Sequence, residues 1–163
     1  MTNLETLVEA WDEAYREFNI ALDNFPEEDL WKRPHPKLLS VGELAGHVAL
    51  AQAIWVFGDG NYKPDVEDLP IKSPLFSSIF RYYPYTVDQP TQLELDSKQV
   101  RKEVNRIHAE AKTRVAGKDK DDPYPGQWGT WGNLVQYQVF HVAYHTGQAY
   151  SVRHLLGHET EDN

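Results

Sequence analysis

His141 and His145 stand four residues apart. On a helix that spacing puts both imidazoles on one face, about 6 Å apart along the axis, where they can reach a single metal ion. On a wheel centred on His141, the residues Leu134, Gln138, His145, Gln148 and Val152 all fall within about 60° of it, so the pair lies in an apolar stripe that a bundle would bury. His47 occupies a similar place in an earlier segment, with Glu43, Leu44, Leu50, Ala51 and Ile54 around it on the same periodicity. A buried imidazole needs a partner, because an unpaired buried polar group costs roughly 1–3 kcal/mol. One divalent ion held by His47, His141 and His145 would supply a partner for all three and leave a fourth position open, as catalytic zinc sites do. The alternative is three core histidines bonded to backbone or to tyrosine.

Spacing alone is a modest signal. Seven histidines in 163 residues give about 0.3 His-x-x-x-His pairs by chance, a false-positive risk that any short motif carries. The chain holds two such pairs. The second, His154 and His158, straddles Gly157 at a helix end, so His154 reads as a cation at the negative end of the helix dipole and His158 as tail.

Composition narrows the chemistry further. The chain has no cysteine, which excludes disulfide frameworks, thiolate nucleophiles, cysteine-based zinc sites and iron–sulfur clusters. A metal must therefore sit on His, Asp or Glu. The net charge is −9, and no run of basic residues exceeds two, so nucleic acid is not an expected partner. The longest apolar stretch, Val48 to Phe57, covers ten residues against the roughly 20 needed to cross a bilayer. The amino terminus reaches Glu5 and Glu9 before any basic residue and has no apolar h-region of a signal peptide, so the expectation is a cytoplasmic protein with no membrane partner.

Four helices must position these residues, and the chain reads as a single domain over residues 1–163. Leu4, Leu7, Val8, Trp11, Tyr15, Phe18, Leu22 and Phe25 recur at helical spacing up to Pro26. Ser40-Val-Gly-Glu43 reads as a capping box opening a second helix that ends near Phe57. The segment 58–90 carries five prolines and Tyr82, Tyr83 and Tyr85, and cannot be one long helix. Asp96 or Ser97 caps a third helix with an apolar line of Val100, Val104, Ile107, Ala111 and Val115, ending at Gly117. Thr130 caps the last helix, which runs to about Leu156 and stops at Gly157. With no alternating strand pattern, the expectation is an all-α four-helix bundle with a long Pro/Tyr-rich connection between its second and third helices.

The stretch His141-Val-Ala-Tyr-His145-Thr-Gly-Gln148, followed by Arg153 and Leu155-Leu156-Gly157, resembles the last-helix pattern of the DinB-like (DinB/YfiT) superfamily. The segment Ser40-Val-Gly-Glu-Leu-Ala-Gly-His47 resembles the place where that family carries its first histidine. The resemblance spans nearly the whole chain and is loosest between residues 58 and 115. It implies a four-helix bundle of unusual helix order, a divalent metal, commonly zinc or nickel, on His47, His141 and His145, and a homodimer. It also implies chemistry on a small-molecule substrate: thiol transfer or isomerisation with a low-molecular-weight thiol, or metal-dependent hydrolysis.

Two functional readings follow. In the first, the three-His site activates water or a small external thiol, with Glu43 and Gln148 as candidate catalytic residues. Glu43 has a competing role in the capping box, and Gln148 can instead orient a ligand imidazole or bond between helices. In the second, the bundle binds a metal or ligand without catalysis and the ion staples two helices. Arg153 can meet an anionic substrate or simply the helix dipole. Trp128, Trp131 and the three tyrosines can wall a pocket or cap the core.

Overall fold

The computed structural model describes residues 4–61, 63–81 and 91–160. Four helices carry the fold: α1 (Glu5–Leu22), α2 (Val41–Phe57), α3 (Ser97–Val115) and α4 (Trp131–Leu155). The chain is predominantly helical, and its one sheet among the described residues is a two-strand ladder, β1 (Pro123–Tyr124) against β2 (Gly129–Thr130), antiparallel, with Pro123 opposite Thr130. Short 3-10 turns occupy Glu27–Asp29, Val66–Asp68, Ser78–Arg81 and Gly126–Trp128. Tyr82, Tyr83 and Tyr85 lie outside the described residues. No helix of the described residues is long and apolar enough to cross a membrane.

Local chemistry sets the helix ends. Ser40 accepts from the Glu43 backbone N–H, and the Glu43 side chain accepts from the Ser40 N–H, closing the capping box of α2. Asp96, rather than Ser97, caps α3 and forms its own box with Gln99. Thr130 accepts from the Asn133 N–H to open α4. Gly117 (φ 76°) and Gly157 (φ 84°) take left-handed conformations just past α3 and α4, where a side chain would be strained.

α1 packs mainly along α4, and α2 packs along α3 and α4. This makes α2 the innermost helix, buried on nearly every side. Two glycines permit that. A Cβ on Gly42 would lie 2.6 Å from the Trp31 ring and one on Gly46 would lie 2.4 Å from the Phe80 ring, so both rings seat directly on the α2 backbone. The buried residues from all four helices form one contiguous core, with Trp11, Phe18, Leu44, Leu50, Ile107 and Leu134 among its largest fully buried members.

The far end of the chain is tied down. Arg153 is buried and donates to the carbonyls of Ala21, Asp23 and Glu159, with its guanidinium over the Phe25 ring, so it locks the end of α4 to the end of α1. His158 is not a loose tail. Its Nε2 lies 2.7 Å from Asp29 Oδ2 and its ring meets Phe25 edge-on. Gly157, in its left-handed conformation, ends α4 just before His158.

Candidate metal centre

The geometry brings His47, His141 and His145 together. His141 Nε2 stands 3.2 Å from His47 Nε2 and 3.1 Å from His145 Nε2, and one ring nitrogen of each lies within 4.8 Å of those of the other two. His141 and His145 are buried and His47 is half-buried. Among the described residues no aspartate or glutamate joins the cluster.

The outer nitrogens decide what the inner ones present. His47 Nδ1 lies 2.6 Å from the Phe80 carbonyl oxygen, which can only accept, so Nδ1 carries the proton and Nε2 a lone pair. His145 Nδ1 lies 2.6 Å from Gln148 Oε1 and is likewise the donor, which leaves its Nε2 bare. At most one N–H, that of His141, can then point into the cluster. Two or three lone pairs converging at this distance are a poor arrangement for a hydrogen-bonded core and a good one for a cation. The residues present therefore fit a divalent ion: three neutral imidazoles, a donor set suited to borderline metals, with two of the three held in their tautomer by a second group. Burial keeps these rings neutral. It lowers the affinity of His141 for a proton well below the ordinary imidazole range, with the charges of His145 and His47 adding to the effect. It lowers His145 to about 4, aided by His47 and opposed by the Gln148 hydrogen bond. His47 is also lowered by burial, with its bond to Phe80 acting the other way.

The cluster faces a pocket of about 510 Å³. Its walls are Trp55 from α2 and Tyr137, Phe140 and Tyr144 from α4, with Lys37 and Gln148 as the remaining polar members. Trp55 meets the His141 ring edge-on at 4.7 Å, and Tyr144 meets His145 edge-on at 5.0 Å. The aromatic wall continues through Trp128, which packs on Tyr137 at 4.5 Å. Trp131 instead packs on Tyr124. Sequence does not set Trp55, Tyr137, Phe140 and Tyr144 apart, because helical aromatics ordinarily pack in a core; only the place of 137, 140 and 144 beside His141 on α4 marks them.

Glu43 is buried and engaged elsewhere. It accepts from Arg33 (Nε 2.8 Å, Nη2 2.5 Å), from the Ser40 N–H at 2.8 Å and from the Thr91 N–H at 2.9 Å. These contacts tie the start of α2 to the segments on either side of it. Gln148 is placed where it can serve the site, with its Oε1 on His145 and its Nε2 3.3 Å from the Tyr144 hydroxyl.

A model of the DinB superfamily matches residues 10–149, and the chain belongs to that superfamily. The helical bundle also resembles the crystal structure of a conserved protein from Enterococcus faecalis, with a TM-score of 0.67 and 17% identity over 96% of this chain and 99% of that one. No curated protein matches the sequence significantly.

Proposed function

We propose that this protein is a metal-dependent enzyme of the DinB superfamily, acting on a small molecule by hydrolysis or by transfer of a low-molecular-weight thiol. The observation that carries this reading is the convergence of three imidazole nitrogens on the wall of an open pocket. His47, His141 and His145 would hold a zinc or nickel ion, whose chemistry would be to lower the pKa of a bound water or thiol toward neutral pH. The chain's own residues do the rest. The Phe80 carbonyl and Gln148 hold two of the rings in the ligating tautomer, so ligand geometry is prepared before the ion arrives. The aromatic walls give the pocket an apolar flank beside the histidines. A thiol nucleophile must come from outside, since the chain has no cysteine.

The competing role, an ion that only staples α2 to α4, is separated by spectroscopy on the cobalt-loaded protein. An enzyme site keeps a position open, so its absorption bands shift on adding azide or a small thiol. A spectrum indifferent to both identifies a closed, structural site and removes the catalytic reading.

A further inference from the structure

The pocket that faces the three histidines has a lining out of keeping with the rest of the chain. The sequence carries 25 acidic residues against 16 basic ones, yet none of the nine described residues lining this pocket is acidic. Lys37 is the one Lys or Arg among them. A divalent ion on those imidazoles would add positive charge that no carboxylate on the wall offsets.

The rim is also unusual. The exposed large hydrophobic side chains of the described residues are Phe140 (60%), Tyr144 (55%) and Leu155, and the first two lie on this pocket. Their rings are 6.1 Å apart and within 24° of parallel, so they form a shallow platform on the outer face of α4. Tyr137 lies between this pair and the histidines, 5.9 Å from Phe140 with its ring tilted by 50°, and stacks at 6.0 Å on His141. A platform of this kind is wasted on water and on small inorganic anions, which gain nothing from a flat apolar surface. It suits a ligand with a flat body, and the lone lysine suits a ligand with one negative charge.

We infer that the pocket takes a small organic carboxylate with a flat apolar body, its charge met by Lys37 and its body laid on Phe140 and Tyr144. The inference rests on the reading of this pocket as a substrate site, and names the class of molecule that enters it.

3-Phenylpropionate, its neutral amide and inorganic phosphate are suitable probes, titrated by heteronuclear NMR into both chelator-treated and zinc-loaded protein. The expected order is acid, then amide, with phosphate not binding the chelator-treated protein. Lys37→Gln weakens the acid about fivefold, in line with a partly exposed charge pair, and leaves the amide unchanged. Phe140→Ala combined with Tyr144→Ala weakens acid and amide alike by about tenfold, as loss of two aromatic contacts requires. Equal affinity for acid and amide, an unchanged acid affinity in Lys37→Gln, or no binding of the acid at millimolar concentration would each overturn the inference. So would sedimentation showing that the double aromatic variant breaks a dimer while probe binding is untouched, since the platform would then belong to an interface between copies. Because Lys37 dependence is read without metal as well as with it, a protein that fails to hold zinc defeats the proposed enzyme and leaves this result standing. A protein that holds zinc but ignores Lys37 defeats this inference alone.

Discussion

His108 on α3 and His141 on α4 are buried to nearly the same degree, 6% and 5% exposed, and their surroundings are opposite. His108 has a carboxylate. Its Nε2 lies 2.7 Å from Asp12 Oδ1, Asp12 also accepts from Lys112 at 3.0 Å, and the ring stacks on Tyr15 at 3.9 Å with the Trp11 edge at 4.8 Å. Among the described residues, no carboxylate joins the His141 cluster. The polar neighbours of His141 are two more imidazoles with their lone pairs turned toward it. Burial therefore does not separate a structural histidine from a metal ligand. The identity of the partners does: His108 has an acceptor carboxylate for its Nε2–H, whereas His47, His141 and His145 turn more lone pairs than N–H groups on one another, a set that suits a cation.

The sharpest way to break that contrast is to remove each ring in turn. His141→Ala is expected to abolish stoichiometric zinc, whereas His108→Ala keeps one zinc per chain and instead loses about 2–4 kcal/mol of stability, through the cavity it leaves against Trp11 and Tyr15. Metal analysis alongside urea denaturation reads both. Equal metal loss in the two variants would erase the distinction.

A second test uses protons. Burial lowers the His108 pKa to about 4, against the hydrogen bond and charge of Asp12, which raise it, while the Lys112 charge lowers it slightly. Burial would raise the Asp12 carboxyl, but hydrogen bonds from Lys112 and His108 hold it below its usual value. Between the ordinary value of 6.5 and about 4 the unfolded chain binds a proton at residue 108 that the folded chain refuses. Stability from this group is thus complete above pH 6.5 and lost as pH falls through 4, by about 3 kcal/mol at most. In chelator-treated protein, His108→Gln should show a shallower fall in unfolding free energy from pH 7 to 4.5 than the wild type. Parallel curves would show that His108 does not titrate in this range.

The mildest change sharpens the metal side of the comparison. Gln148→Leu removes the acceptor on His145 Nδ1 without touching a ligand, and should weaken zinc by about 10- to 100-fold while stoichiometry at saturation stays at one. Competition with a chromophoric chelator measures it, and unchanged affinity would mean that Gln148 serves only the Tyr144 contact.

Which of these features could be read from the sequence follows from the range over which each is determined. Helix limits come from neighbours in the chain, so Ser40 with Glu43, Thr130, Gly117 and Gly157 announce them directly. The pairing of His141 with His145 is likewise a matter of one turn of helix. His108 is hidden within the apolar line of α3 because its partner Asp12 lies 96 residues away on α1. Glu43 looks from sequence like a cap with a chemical option, and its bond to Arg33 from the preceding connector is what occupies it. Lys37 carries no pattern at all; only the fold brings it to the histidines.

One further feature bears on how this site can change over time. The group that orients His47 is the main-chain carbonyl of residue 80, in the connection between α2 and α3, and that segment reaches α2 because Gly46 lets the Phe80 ring lie against the helix. No side-chain replacement at position 80 deletes such an acceptor. A change in the length of the connection would, and so the orientation of His47 is tied to the spacing of a loop, the kind of segment in which insertions are otherwise the least costly.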